Sequence, residues 1–232
     1  LARDSSGIRN ACGMEINMKY TNIIFDLDGT LLNTLEDLTD GVNHVIKMYG
    51  YEPYSQSDIK SFVGNGIMKL MERAVPGGKD NDKFDEMYNE FKAYYTKHCI
   101  IKTRPYDGII KLLESLDRAG YGLAIVSNKN DAAVKELAKH FFGDYINTAI
   151  GQSEITRKKP APDTVYEAMK ALPKGEALYV GDSEVDKMTA DNAGTDCVLV
   201  SWGFRDKNML EGLSADAVID SPMQLMEFLG EL

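Results

Sequence analysis

Aspartates, hydroxyl residues and lysines stand in the segments that follow short apolar runs at four places in this sequence. In chain order these places hold the following side chains: Asp26, Asp28 and Thr30; Ser127, Asn128 and Lys129; Arg157, Lys158 and Lys159; and Asp182, Ser183 and Asp186. Such a set of carboxylates, hydroxyls, an amide and ammonium groups suits a hard divalent cation and a phosphoryl group. Because clustered carboxylates repel one another, we expect Mg²⁺, which prefers oxygen ligands, to relieve the repulsion.

The same residue types can carry the steps of phosphoryl transfer. An aspartate is a competent covalent nucleophile toward phosphorus once a metal neutralises the transferring group. A second carboxyl two residues away can protonate the leaving oxygen and later deprotonate a water molecule. Ser127 can donate a hydrogen bond, and Lys159 can place a point charge on the phosphoryl oxygens. Gly29 would allow a tight turn that brings backbone N–H groups toward phosphate.

Each motif has an ordinary structural explanation when it is taken alone. An Asp-x-Asp is commonly a turn or a helix cap, Asp182 can cap a helix, and a basic run is commonly a solvated loop. All four motifs stand at successive strand ends, however, and open parallel sheets bind ligands beyond the carboxyl ends of their strands. We therefore expect the four motifs to converge on one site.

Short apolar strands alternate with amphipathic helical patterns over most of the chain. Clear strands are predicted at 22–25, 122–126, 177–180 and 197–200, and weaker ones at 146–150 and 217–219. Between them, apolar residues recur at helical spacing, as in Val134, Leu137, Ala138 and Phe141. This alternation predicts an α/β fold, a Rossmann-like three-layer core with a mainly parallel sheet.

Residues 35–103 interrupt the alternation with apolar residues at helical spacing and no convincing strand. We expect a small all-α cap there, and a Rossmann-like core formed by residues 18–34 and 104–232. The aromatic stripe of this insertion is interpreted as cap core: Phe84, Tyr88, Phe91 and Tyr95. A cap that closes over substrate would hinge near residues 33–35 and 103–105. Residues 1–17 lack periodicity and are interpreted as a leader upstream of a natural start at Met18.

Composition excludes several classes of function. The 232 residues carry 36 acidic and 26 basic side chains, a net charge of −10. Acidic proteins of this kind lack the basic surface needed for nucleic acid or anionic membranes, so we expect neither partner. The three cysteines are odd in number and have no metal-ligand spacing, so we expect no disulfide framework, which favours a reducing compartment and hence the cytoplasm. Oligomeric state stays open between monomer and homodimer.

The four motifs, in this order, resemble those of the haloacid dehalogenase-like (HAD) phosphohydrolase superfamily. The segments that carry the resemblance are Asp-Leu-Asp-Gly-Thr-Leu at 26–31, Ser127-Asn128, Lys159-Pro160-x-Pro162, and Gly181-Asp182-Ser183-x-x-Asp186. The helical insertion at 35–103 is similar to the cap that the family places between its first and second motifs. The resemblance extends over residues 20–228 and implies a mobile helical cap above the core.

Roles are carried over from the family position by position. The resemblance implies that Asp26 is the nucleophile and forms an aspartyl-phosphate, and that Asp28 is the general acid and base. Ser127 and Lys159 would hold the phosphoryl group, with Thr30 and Asn128 beside the substrate. The Mg²⁺ ligands would be Asp26, Asp28 through its backbone carbonyl, and Asp182, with Asp186 binding or orienting the ion. Dehalogenases of the family lack the second Asp, so Asp28 indicates phosphoryl transfer.

The cap sequence Phe62-Val63-Gly64-Asn65-Gly66 is similar to the cap of phosphoglycolate phosphatases. We expect Gly64, Asn65 and Gly66 to face a small phosphorylated metabolite, with 2-phosphoglycolate as the lead candidate. Pyrophosphate and nucleoside monophosphates stay open as substrates. A phosphomutase of the β-phosphoglucomutase type is the nearest alternative activity. A signalling module with a phosphorylated aspartate is a weaker one, because it needs neither a cap nor Asp28.

Overall fold

The computed structural model describes residues 19–231, so the leader predicted at 1–17 lies outside the described residues. The strands, in chain order, are β1 (Asn22–Phe25), β2 (Leu32–Asn33), β3 (Arg104–Pro105), β4 (Gly122–Asn130), β5 (Thr148–Gln152), β6 (Ala177–Gly181), β7 (Asp196–Val200) and β8 (Ala217–Ile219). Six of them form one parallel sheet in the order β5-β4-β1-β6-β7-β8. The weak strand predicted at 146–150 begins two residues later, at Thr148.

Both faces of this sheet are covered by helices. The helices, in chain order, are α1 (Leu35–Met48), α2 (Gln56–Phe62), α3 (Ile67–Ala74), α4 (Phe84–His98), α5 (Ile109–Ala119), α6 (Asp131–Phe142), α7 (Asp163–Ala171), α8 (Glu184–Ala193), α9 (Lys207–Glu211) and α10 (Gln224–Leu229). Because side chains alternate along a strand, Ile23 and Phe25 pack with α5, α6 and α10, whereas Ile24 packs with α7, α8 and α9. The predicted three-layer α/β core is confirmed.

Helices α1 to α4 share a hydrophobic cluster separate from those of the sheet. Val42, Met71, Met87 and Phe91 are fully buried within it. In the predicted aromatic stripe, Tyr88 is only half-buried at the edge of the cluster. Within residues 19–231, no helix combines the length and apolar content needed to cross a membrane.

The chain leaves the sheet domain and returns to it through a two-stranded antiparallel ribbon. Leu32 and Asn33 of β2 pair with Pro105 and Arg104 of β3. The buried carboxylate of Asp37, in the first turn of α1, accepts hydrogen bonds from the backbone N–H groups of residues 102 and 103, at 3.0 and 2.8 Å. This carboxylate therefore fastens the first cap helix to the returning chain.

We expect Asp37→Ala to lower the free energy of unfolding by about 2 kcal/mol, because two backbone N–H groups, one of them buried, lose their acceptor. The matched control is Asp40→Ala on the same helix. Asp40 is half exposed, and within residues 19–231 its one ion pair is with the Lys102 side chain, so its loss should cost below about 1 kcal/mol. Denaturant unfolding measures both values, and equal losses would contradict a fastening role for Asp37.

Candidate active site

The carboxyl ends of three adjacent strands bring the first, second and fourth motifs together. β1 lies between β4 and β6 in the sheet, so Asp26, Ser127 and Asp182 follow neighbouring strands at the same edge. One carboxylate oxygen from each of Asp26, Asp182 and Asp186 lies within 4.8 Å of the others, and all three residues are buried. This is a cluster of oxygen donors of the kind that a hard divalent cation binds.

Lys159 is the cation that the third motif adds to this cluster. Its buried Nζ lies 2.7 Å from Oδ1 of Asp26 and 2.7 Å from Oδ1 of Asp186. Burial by itself would lower the pKa of this ammonium, but the two carboxylates outweigh burial and raise the pKa above its ordinary value. Lys159 therefore stays charged at neutral pH.

The carboxylates remain under-compensated in spite of Lys159. Burial, followed by the charge of Asp186, raises the pKa of Asp26 to about 7, although Lys159 opposes the shift. Burial and the charges of Asp186 and Asp26 raise the pKa of Asp182 well above its ordinary range. Three buried carboxyls here share the one ammonium of Lys159, and a bound cation would favour their ionised forms.

Asp186 differs from the other two aspartates because its oxygens are already engaged. Oδ1 faces Lys159 and accepts a hydrogen bond from the hydroxyl of Tyr179 at 3.0 Å. Oδ2 accepts from the Ser183 hydroxyl at 2.6 Å and from the backbone N–H of Asp182 at 3.2 Å. A carboxylate has about four acceptor sites. Asp186 is thus built to hold Lys159 and the Asp182 loop in place.

Tyr179 is a site residue that the sequence analysis missed. Its hydroxyl, fully buried in β6, contacts both Asp186 and Lys159 Nζ, the latter at 3.1 Å. The sequence feature that could have identified it is a tyrosine within an otherwise apolar buried strand. A buried hydroxyl needs a hydrogen-bond partner, so a polar group is expected beside it.

Asn128 positions the Lys159 loop by hydrogen bonds. Its amide oxygen accepts from the backbone N–H of Lys159 at 2.6 Å, and its amide nitrogen donates to the Lys159 carbonyl at 3.2 Å. Ser127 is buried beside the cavity described below, and its hydroxyl accepts from the backbone N–H of Lys129. The Thr30 hydroxyl is buried and finds no hydrogen-bond partner among residues 19–231.

Gly29 is required by close packing against Asp182. Its φ is +91°, and a Cβ at this position would lie 2.3 Å from Oδ2 of Asp182. The Gly29 N–H donates to the carbonyl of Leu32 at 2.9 Å. The expectation that Gly29 helps the backbone approach a ligand therefore changes: this glycine lets the turn approach the carboxylate, and its own N–H is already used.

A cavity of about 60 Å³ lies between the aspartate cluster and the cap. The core lines it with Asp26, Asp28, Ser127, Asn128, Lys129, Lys159, Asp182, Ser183 and Val185, and the cap with Leu38, Val63, Gly64, Gly66, Ile67 and Leu70. Asn65 lines a neighbouring cleft instead, and its amide oxygen accepts from Arg73 at 2.7 Å. Its contact with substrate stays a prediction.

Asp28 lies in this cavity as an ion pair with Lys129. Nζ of Lys129 is 2.9 Å from Oδ1 of Asp28 and donates to the hydroxyl of Tyr95, on cap helix α4, at 3.0 Å. Burial opposes the charge of Lys129, but Asp28 and Tyr95 raise its pKa above the ordinary value. The interpretation of Tyr95 as cap core is thus incomplete, because its hydroxyl reaches the core domain.

Arg205 makes a second connection between core and cap. It pairs with Glu184 at 2.8 Å and donates to the carbonyl of Val63, in the cap loop, at 3.0 Å. Glycine is favoured at position 64 by its φ of +116°, and a Cβ there would lie 2.6 Å from Nη2 of Arg205, so the guanidinium would have to move. The sequence did not predict these contacts of Arg205, because its partners are distant along the chain.

Comparison with known proteins agrees with this geometry. A family model described as haloacid dehalogenase-like hydrolase matches residues 23–200. The chain is 32% identical over 213 residues to a phosphoglycolate phosphatase of Pseudomonas fluorescens, covering 88% of this chain and 78% of that protein. It is 35% identical over 195 residues to a phosphoglycolate phosphatase of Rhodobacter capsulatus, covering 82% of this chain and 88% of that protein.

Solved structures give the same result for the fold. A crystal structure of a protein from Lactobacillus delbrueckii subsp. bulgaricus superimposes with a TM-score of 0.84 at 35% identity, covering 91% of this chain and 99% of that one. The crystal structure of a predicted phosphoglycolate phosphatase from Haemophilus somnus gives 0.82 at 27% identity, with coverages of 91% and 99%.

We expect Asp182→Asn to stabilise the protein in EDTA near pH 7.5, relative to the unsubstituted chain, because the neutral amide replaces a buried carboxyl whose pKa is raised. A carboxyl with a raised folded pKa binds its proton more tightly when folded, so its effect on stability becomes more unfavourable as pH rises above about 4. The gain should therefore shrink as pH falls toward about 4.

Thermal unfolding measures this difference, with exposed Asp144→Asn as the control. Saturating Mg²⁺ should reverse the order, because only the intact cluster gains the free energy of binding the ion. A gain that does not vary with pH, or an order unchanged by Mg²⁺, would contradict the electrostatic description of the cluster.

Proposed function

Since this chain belongs to the haloacid dehalogenase-like hydrolase family, we propose that it hydrolyses 2-phosphoglycolate through a covalent phosphoryl intermediate on Asp26. Its relatives identify it as a phosphoric monoester hydrolase. The observation that carries the proposal is the buried pair of Asp26 and Lys159, 2.7 Å apart, on the wall of a small cavity that Asp28 also lines.

The site fits Mg²⁺ on the chemistry of its donors. Buried carboxylates with raised pKa values are available, and Lys159 compensates them only in part. Asp26 and Asp182 would hold the ion with the backbone carbonyl of Asp28, which the family resemblance implies. Asp186 would orient Asp182 and Lys159. When bound, the ion would neutralise negative charge on the nucleophile and the transferring phosphoryl group.

The reaction follows from the two aspartates at the end of β1. A carboxylate oxygen of Asp26 would attack phosphorus while Asp28, which must be protonated at this step and so leave its ion pair with Lys129, gives its proton to the leaving alkoxide. This yields the alcohol and an acyl phosphate on Asp26. Asp28, now ionised, would then take a proton from a water molecule that attacks the same phosphorus. This second step releases inorganic phosphate and restores Asp26. Lys159 and the Ser127 hydroxyl would hold the phosphoryl oxygens throughout.

A short organic group is the substrate feature that the cavity favours. The cavity is small, with a volume of about 60 Å³. The cap lines it with the apolar side chains of Leu38, Ile67 and Leu70, which offer no hydrogen bonds to sugar hydroxyls. Relatives named phosphoglycolate phosphatase support the same choice. The cavity thus favours 2-phosphoglycolate over the hexose phosphate of a mutase.

We further propose that residues 35–103 act as a closing cap hinged at the ribbon of β2 and β3, with the core formed by 18–34 and 104–232. The separate hydrophobic cluster of the cap helices supports this division. The free thiols of Cys99 and Cys197 support the proposed cytoplasmic location, where such groups stay reduced.

We expect Arg205→Met to raise the KM for 2-phosphoglycolate about fivefold, the effect of one lost hydrogen bond between core and cap. Hydrogen exchange of residues 62–70 should slow when inorganic phosphate is added to the unsubstituted protein, and slow less in the variant. Arg118→Met, at an exposed arginine of α5, is the control. Equal protection in all three proteins would contradict a role for Arg205 in closure.

Phosphate release from a panel of esters tests the proposed reaction. The panel holds 2-phosphoglycolate, β-glucose 1-phosphate, pyrophosphate and nucleoside monophosphates, each with Mg²⁺ and with EDTA. We expect release to be fastest from 2-phosphoglycolate, to stop in EDTA, and to fall at least about 10³-fold in Asp26→Asn. Exposed Asp144→Asn is the matched control.

Other outcomes of the panel have defined meanings. Release from a different ester would keep the mechanism and replace the substrate. Conversion of β-glucose 1-phosphate to glucose 6-phosphate without release would identify a phosphomutase. Full activity of Asp26→Asn would overturn the covalent mechanism.

A further inference from the structure

Lys129 is a buried cation in the cavity wall that the proposed reaction does not use. Its side chain is 8% exposed, and it stands at the end of β4, two residues after Ser127. Among the described residues that line the cavity, Lys129 and Lys159 are the two with cationic side chains. Lys159 is engaged by Asp26 and Asp186, so Lys129 is the cation left for a second anionic group.

The contacts of Lys129 leave it able to bind a ligand. An ammonium group has three N–H donors. Among the residues described, Asp28 and Tyr95 accept two of them, at 2.9 and 3.0 Å. One donor is therefore left for an anion in the cavity that Lys129 lines. The alternative is a purely structural ion pair, but such a pair needs no place on a cavity wall.

The charge of Lys129 is complementary to the organic end of the proposed substrate. 2-Phosphoglycolate has a phosphate at one end and a carboxylate at the other, separated by one methylene group. With the phosphate on Asp26 and Lys159, the carboxylate must lie elsewhere in the same small cavity, where the cap contributes Leu38, Ile67 and Leu70. An unpaired carboxylate against these apolar groups would be costly, so it requires a cation.

We infer that Lys129 is the specificity-determining residue of this enzyme and binds the carboxylate of its substrate, and that Tyr95 positions it from the cap. The inference rests on the proposed function. Tyr95 lies on α4 and Lys129 on β4, so their hydrogen bond forms across the boundary between cap and core. Recognition of the carboxylate is thus complete only when the cap is closed.

The test compares 2-phosphoglycolate with its uncharged amide, carbamoylmethyl phosphate. We expect Lys129→Met to lower kcat/KM for 2-phosphoglycolate about 30- to 100-fold more than for the amide, the usual effect of a lost charge-assisted hydrogen bond. Lys139→Met, at an exposed lysine of α6, is the control and should leave the ratio unchanged. If Lys129→Met folds poorly, Lys129→Gln should give the same change in the ratio.

Tyr95→Phe separates positioning from catalysis. We expect it to raise the KM for 2-phosphoglycolate about threefold to tenfold while kcat and the values for the amide stay nearly constant. Binding of 2-phosphoglycolate to Asp26→Asn, measured by calorimetry, should weaken when Lys129→Met is added.

Failures of the two proposals can be told apart. An equal fall of kcat/KM for both esters in Lys129→Met would mean that Lys129 acts through Asp28, and would overturn the inference while the phosphatase activity stands. Equal activity of the unsubstituted enzyme on both esters would mean that the carboxylate is not recognised, and would also overturn the inference while the phosphatase activity stands. Absence of hydrolysis of every ester in the panel would overturn the proposed function and the inference with it.

Discussion

Buried negative charge at the carboxyl edge of the sheet is the constraint on which the rest of this structure depends. Asp26, Asp182 and Asp186 are held within a few ångströms of one another and share the ammonium of Lys159. Concentrating carboxylates in this way costs free energy of folding, as the raised pKa of Asp26 records. The carboxylates repel one another and are held together by the surrounding sheet, glycine turns and hydrogen bonds. A bound cation would offset the cost in free energy.

Some residues of the site supply charge, and their neighbours fix the positions of the charged groups. Asn128 forms hydrogen bonds with both the N–H and the carbonyl of Lys159. The hydroxyls of Tyr179 and Ser183 donate hydrogen bonds to the two carboxylate oxygens of Asp186. These contacts restrict the rotamers of the charged groups before any ligand arrives. A phosphoryl group would therefore meet donors that need little rearrangement, the main source of electrostatic stabilisation in enzymes.

The sequence predicted the sheet and the convergence of its motifs well, because both follow from local pattern. Apolar runs such as 22–25 mark buried strands, and parallel strands place their following loops at one edge. It did not reveal the contacts of Lys129 with Tyr95, or of Arg205 with Val63. These pairs are separated by 34 and 142 residues, and no periodicity encodes which side chains meet when the cap rests on the core. Asn65 is a further example: the sequence identified its loop but did not show that its side chain accepts a hydrogen bond from Arg73 at a neighbouring cleft.

The paired strands β2 and β3 have an evolutionary meaning beyond their geometry. Because Asn33 and Arg104 are partners in one ribbon, the two ends of the inserted segment meet at a single narrow junction. A different insertion of any length could be attached there without changing the register of the six-stranded sheet or the placement of Asp26. Selection can therefore exchange the inserted segment while it conserves the sheet domain that holds Asp26, Lys129 and Lys159 in place.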